Sequence, residues 1–173
     1  NLQFELGENS FLVTYHPVTL ENSTAKQQCE SLLSALSEYN DYRIVFTYPN
    51  SDTDGRIIIQ LIEEYVSKNK DRCMAINSLG RIRYYSALQY VSAVIGNSSS
   101  GIIEVPSFGI PTLNIGDRQK GRIASNSVVH CSTALEDIKS GLLEVTSQNI
   151  RSIASKKLNP YYLEDTTNRI VGI

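Results

Sequence analysis

The residues able to do chemistry gather in a few short stretches. The densest is Gly96-Asn-Ser-Ser-Ser-Gly101-Ile-Ile-Glu104, a small, hydroxyl-rich loop between an apolar run and a helical pattern. Successive backbone N–H groups at the mouth of a helix, aided by serine hydroxyls, make an anion site suited to phosphate. Glu104, one turn into that helix, could accept hydrogen bonds from a ribose diol while Ser98 and Ser99 hold phosphate. The same residues also read as an ordinary helix start, with serine at the cap and glutamate facing the macrodipole. Spacing alone favours neither reading. The loop is not a Walker A motif, because Ile102 and Ile103 stand where Lys and Ser/Thr belong. No G-x-G-x-x-G occurs anywhere, so the dinucleotide fingerprint is absent.

A second stretch, Gly116-Asp-Arg-Gln-Lys-Gly-Arg122, sets Arg118, Lys120 and Arg122 between glycines. Such a loop could clamp a diphosphate or simply stand in solvent. A third is Tyr15-His16-Pro17, where the proline fixes the backbone beside a histidine suited to a phosphate or sugar contact. Tyr48-Pro49-Asn50 repeats that placement after another apolar run. His130 adjoins Cys131, but neighbours on a strand point to opposite faces, so the two read as structural rather than as a nucleophile and its base.

Positioning these groups is the work of an alternating pattern. Apolar runs at Phe11–Tyr15, Arg43–Tyr48, Met74–Ile76, Ala93–Gly96, Pro111–Ile115 and Ser127–His130 read as strands. Between them lie helical patterns: one opened by Thr24-Ala-Lys-Gln27, one from Asp54, one over Arg81–Ser92 and a short one over Gly101–Phe108. Pro106 fits the last only if it is short or kinked. Thr133-Ala-Leu-Glu136 has the spacing of a capping box, as does Thr24-Ala-Lys-Gln27. Further helices are expected near 148–156 and 162–171. Continuous apolar strands separated by helices predict an α/β domain, a Rossmann-like parallel sheet flanked by helices. Ligands of such sheets sit beyond the carboxyl ends of the strands, where all the stretches above fall.

Composition narrows the function classes. The 173 residues carry 16 Lys+Arg against 18 Asp+Glu, a net charge of −2, with 41% hydrophobic residues. That size and content predict one folded domain over 1–173. Near-neutrality argues against a nucleic-acid surface or a polybasic membrane anchor. No apolar run approaches the roughly 20 residues of a membrane span, and no signal peptide opens the chain. Cys29, Cys73 and Cys131 are widely spaced with no C-x-x-C pair, so neither a metal site nor a disulfide framework is expected. Reduced thiols fit the cytoplasm. The chain opens on Asn1 and its one methionine is Met74, which suggests a fragment or a processed chain.

Four stretches taken together resemble the UDP-N-acetylglucosamine 2-epimerase family, and within it the hydrolysing branch that forms N-acetylmannosamine. They are Val13-Thr-Tyr-His-Pro-Val-Thr19, Tyr48-Pro-Asn-Ser-Asp-Thr-Asp-Gly55, Ile95–Glu104 and Phe108–Arg122, in family order. The resemblance implies the C-terminal, nucleotide-binding half of a two-domain enzyme similar to the GT-B glycosyltransferases, with the N-terminal half as its partner and a homodimer as its possible assembly. It implies a UDP-sugar substrate and no cofactor or metal. Ser98 and Ser99 would bind the diphosphate, with Ser100 and Gly101 beside them in the loop, and Glu104 the ribose. Arg118, with Arg122, would assist at the phosphates, the backbone near Leu79 would meet the uracil, and His16 would face the phosphate–sugar junction. Asn50 would lie near the domain interface. The acid–base carboxylates of the family lie largely in its N-terminal half, so this half alone is expected to bind UDP without turning over the sugar nucleotide.

Overall fold

A computed structural model describes residues 4–7, 9–18, 24–49 and 53–163. Asn50 lies outside them, as do 164–173, the greater part of the expected last helix; Tyr162 and Leu163 at its start are not helical.

Six parallel strands form one sheet in the order β3-β2-β1-β4-β5-β6. They are β1 Ser10–Thr14, β2 Arg43–Thr47, β3 Cys73–Ile76, β4 Ala93–Gly96, β5 Thr112–Ile115 and β6 Val128–Cys131. Every predicted strand is present. The helices are α1 Ala25–Leu36, α2 Thr53–Lys68, α3 Gly80–Ala87, α4 Ser100–Ile103, α5 Leu135–Val145 and α6 Gln148–Ala154. None is long and apolar enough to cross a membrane.

The two-residue period of each strand sends its side chains to opposite faces. Phe11, Val13, Ile44, Phe46, Ala93 and Ile95 bury against Cys29 and Leu32 of α1, Ile58 and Ile62 of α2, and Ile138 and Leu142 of α5. Leu12, Val45 and Val94 turn the other way, onto Ala87 and Leu88 at the end of α3 and onto Val105 and Ile110. Both faces of the central strands are covered, so those strands are continuous apolar runs rather than alternating ones.

The thiols are packing groups. Burial pushes Cys29 and Cys131 up to about 12 and Cys73 to about 11, so none is a thiolate near neutrality.

Several helix ends differ from the sequence expectation. Thr24 does precede α1, but its backbone is already helical and its hydroxyl makes no cap. That hydroxyl instead accepts from Gln28 Nε2 at 3.1 Å, while Gln28 Oε1 accepts from the buried Tyr15 hydroxyl at 2.9 Å. At α5 the extended residue before the first turn is Ala134 rather than Thr133. Ser132 takes the local polar role: its hydroxyl accepts from the Ala134 N–H at 3.0 Å and donates to Asp137. Helix α3 stops at Ala87 rather than Ser92, because the Ser92 amide and hydroxyl are both drawn to the Ser10 carbonyl, at 2.8 and 2.7 Å. The segment Gly101–Phe108 is broken at Glu104 into α4 and a 3-10 turn, Val105–Phe108. Pro106, lacking an N–H, sits in the first turn of that second piece, where no bond is lost.

Candidate functional site at the carboxyl edge of the sheet

The chain leaves β1 for β2 on one side, and β4 lies on the other, which makes the β1/β4 boundary the topological switch point of the sheet. Beyond the carboxyl ends of β1–β4 lies a cleft of about 450 Å³. Its floor carries Thr14 and Thr47, whose hydroxyls meet at 2.5 Å across β1 and β2. One wall is the loop after β3, Asn77 to Gly80, continued by Arg81, Tyr84 and Tyr85 of α3. The opposite wall holds Ser98, Ser100 and Glu104 around α4.

Close backbone approach brings the serine loop to this place. Gly96 ends β4 with φ +132, and a Cβ there would lie 1.9 Å from the Thr14 carbonyl oxygen, so only glycine can lie beside β1 at that point. Gly101 packs α4 against β5: an added Cβ would stand 2.8 Å from Thr112 Cγ2, and the Thr112 hydroxyl donates to the Gly101 carbonyl at 2.9 Å. No serine hydroxyl makes a standard N-cap on α4. The Ser98 hydroxyl has a long 3.4 Å contact from the Ser100 N–H, and the Ser100 hydroxyl pairs with that of Tyr84 at 2.6 Å. Glu104 Oε1 accepts from the Tyr85 hydroxyl at 2.9 Å. Burial above all pushes Tyr84 up to about 12, and the bond to Glu104 raises Tyr85, so both phenols keep their protons near neutrality.

Asn97 is the residue the sequence reading passed over. Its side chain is buried and spans the switch point: Oδ1 accepts from the His16 N–H at 2.7 Å and Nδ2 donates to the His16 carbonyl at 2.8 Å. Its own carbonyl accepts from Arg118 Nη1 at 3.0 Å and from Gln119 Nε2 at 2.9 Å. Thus the ends of β1 and β4 and the loop after β5 are tied at one residue. The available signal was its position, an amide immediately after a strand that ends in glycine.

The sequence-selected residues therefore divide. Leu79, Ser98, Ser100 and Glu104 line the cleft together. Ser99 immediately precedes α4 and Gly101 is buried within it, neither lining the cleft. Half-buried His16 is bracketed by Asn97, and Arg118 reaches the same residue's carbonyl. Arg122 lies elsewhere, with Lys120 and His130, in a neighbouring cavity of about 460 Å³ beyond β5 and β6. The three cations of that loop do not converge. Among the described residues, no group of three or more His, Cys, Asp or Glu side chains could hold a metal. Tyr84 and Tyr85 went unremarked in the sequence because an aromatic pair on a short helix looks like packing.

The sequence pattern of the UDP-N-acetylglucosamine 2-epimerase family matches residues 2–173, nearly the whole chain. The chain belongs to this family. Among curated proteins it is 37% identical over 128 residues to the GDP/UDP-N,N'-diacetylbacillosamine 2-epimerase (hydrolyzing) of Campylobacter jejuni, a match covering 74% of this chain and 33% of that protein. It is 35% identical over 164 residues to the polysialic acid biosynthesis protein P7 of Escherichia coli, covering 94% of this chain and 41% of that one. The chain thus spans between a third and about two fifths of the length of these relatives.

Solved structures show the same fold. The UDP-GlcNAc 2-epimerase of Neisseria meningitidis, bound to UDP-GlcNAc, superposes with a TM-score of 0.71 at 17% identity, covering 97% of this chain and 44% of that chain. The C-terminal domain of a group 1 glycosyltransferase from Francisella tularensis superposes with a TM-score of 0.54 at 12% identity, covering 90% of this chain and 83% of that domain. The epimerase family fold is therefore shared, at this level, with a glycosyltransferase domain.

Proposed function

We propose that this domain is the C-terminal, UDP-binding half of a hydrolysing UDP-N-acetylglucosamine 2-epimerase, which converts UDP-N-acetylglucosamine and water to N-acetylmannosamine and UDP in the cytoplasm. The observation that carries the reading is the gathering of Leu79, Ser98, Ser100 and Glu104 on one cleft beside the switch point, in a chain of this family. The backbone at Leu79 faces the uracil, Glu104 accepts from the ribose hydroxyls, and Ser98 and Ser100 meet the diphosphate from the cleft wall, with Ser99, Gly101 and Arg118 behind them. His16, held by Asn97, stands next to the phosphates.

The reaction divides into two steps. A base removes the C2 proton of the sugar while the C1–O bond breaks, so UDP leaves and a 2-acetamidoglucal remains. Water then supplies hydroxyl to C1 and a proton returns to C2 from the opposite face. This half serves the leaving group: it binds UDP and stabilises the charge that develops on the diphosphate. Glu104 is the one carboxylate among the described residues lining the cleft, and a single ribose-binding carboxylate is not an acid–base pair. The pair belongs to an N-terminal half that closes over the cleft.

A second reading concerns the sugar. The 37% identity to a protein named as a hydrolysing diacetylbacillosamine 2-epimerase favours a diacetamido-trideoxy UDP-sugar as the alternative substrate. Product analysis on the full-length protein separates the possibilities. Free N-acetylmannosamine with free UDP supports the first reading. Turnover of the diacetamido sugar nucleotide alone supports the second. A UDP-linked manno product would instead mark a non-hydrolysing epimerase and overturn both.

A further inference from the structure

Two consecutive tyrosines of α3 reach across the cleft to two residues of the opposite wall. Tyr84 pairs with the Ser100 hydroxyl at 2.6 Å and Tyr85 donates to Glu104 Oε1 at 2.9 Å. The rings are held in place themselves: Tyr85 lies 5.3 Å from Phe108 and 5.9 Å from Tyr84, centroid to centroid. Glu104 occupies the break between α4 and the following 3-10 turn, with φ −106 and ψ −47, so its main chain alone does not aim its long side chain. A glutamate left free there would sample several rotamers, and ordering them costs binding energy. Bonding one oxygen to a fixed phenol removes that freedom before any ligand arrives.

We propose that Tyr85 is a positioning residue that makes this site selective for ribose over 2′-deoxyribose. The inference rests on the reading that Glu104 binds the ribose of UDP. A carboxylate accepts both hydroxyls of a vicinal diol best when it is oriented toward them, and the bond from Tyr85 to Oε1 restricts the orientations open to Glu104 on the cleft wall. A 2′-deoxyribose offers one hydroxyl and forfeits half of that match. Tyr85 also lies six positions after Leu79 on the same wall, so its bond sets the spacing between the base-facing backbone and the ribose-facing carboxylate. The phenol's raised pKa keeps it a donor through the neutral range.

Calorimetric titration of the full-length protein with UDP and with 2′-deoxy-UDP tests this, using wild type, Tyr85→Phe and Glu104→Gln. The ring packing on Phe108 survives in Tyr85→Phe, and thermal unfolding checks that the fold does too. The expected result is a wild-type preference for UDP of about tenfold, the worth of one hydrogen bond to a charged group, which falls to about twofold in Tyr85→Phe. The affinity for 2′-deoxy-UDP should stay nearly unchanged. An unchanged preference in Tyr85→Phe, or an equal loss for both nucleotides, overturns the positioning role while leaving UDP binding intact. Absence of UDP binding by wild type, or a Glu104→Gln variant with the full wild-type preference, overturns the underlying site reading and this inference with it.

Discussion

The side-chain amide of Asn97 brackets the backbone of His16, accepting from its N–H at 2.7 Å and donating to its carbonyl at 2.8 Å across 81 residues of sequence. It joins the ends of β1 and β4 where the sheet reverses its order, and it uses both functions of the amide at once. An aspartate there could accept but not donate, and an alanine would leave both His16 groups without these partners. Asn97→Ala should therefore cost about 2–4 kcal/mol, the loss of these two partly buried hydrogen bonds. Urea unfolding at constant m-value measures it. Asn97→Asp should fare no better, because a buried carboxylate would face a carbonyl.

The contact between α4 and β5 gives a second test. Gly101→Ala places a methyl 2.8 Å from Thr112 Cγ2 and should destabilise by about 1–3 kcal/mol through overpacking. Thr112→Ser removes that methyl yet keeps the hydroxyl that donates to the Gly101 carbonyl. The double variant should recover about half of the loss, and additive single effects in the double-mutant cycle would refute a direct clash.

The proposed phosphate binding at the serine loop is separable from helix capping. Because the hydroxyls of Ser98 and Ser100 make few and long bonds to the backbone of α4, Ser98→Ala should leave the unfolding midpoint almost unchanged. Its UDP affinity should fall about fivefold to tenfold, the loss of one charge-assisted bond. Unchanged affinity with lowered stability would turn the loop back into a cap.

Alkaline pH should reveal the buried thiol of Cys29. Burial lifts its pKa from 9.0 to about 12, so above pH 9 the unfolded chain loses a proton that the folded chain keeps. Stability then falls as pH rises from 9 toward 12, by at most about 1.4 kcal/mol per unit for this one thiol, and does not depend on it below 9. Denaturation at pH 8 and pH 10.5 should show a shallower alkaline decline in Cys29→Ala than in wild type. Equal slopes would mean that this thiol ionises in the fold as readily as in the unfolded chain.

Much of this architecture was legible in the sequence, and the parts that were not share a cause. Phe11–Tyr15 or Ala93–Gly96 announces a strand because a sheet covered on both faces demands apolar residues at every position. Gly96 marks the end of its strand, where a Cβ would meet the Thr14 carbonyl oxygen, while the serines after it read equally as a ligand loop or as a helix start. Helix ends were less legible. Thr24 and Thr133 carry the spacing of caps, yet Gln28 claims the hydroxyl of one and the chain enters the other helix a residue late, at Ala134. Those outcomes turn on packing against Tyr15 and on the path out of β6, which no local spacing encodes.

The sequence by itself determined the parallel α/β plan, its six strands, and the loops that carry serine, glutamate and histidine to one edge of the sheet, because hydrophobic periodicity and turn chemistry act over a few residues. Only the tertiary structure decided which of those groups meet. It placed β4 beside β1, so that Asn97 clamps His16; it leaned α3 over α4, so that Tyr85 reaches Glu104; and it sent Arg118 to the switch point while Arg122 went to another cavity. Each is a contact between segments far apart in the chain, set by the strand order and by close packing at Gly96 and Gly101, where steric exclusion rather than local propensity leaves a single arrangement.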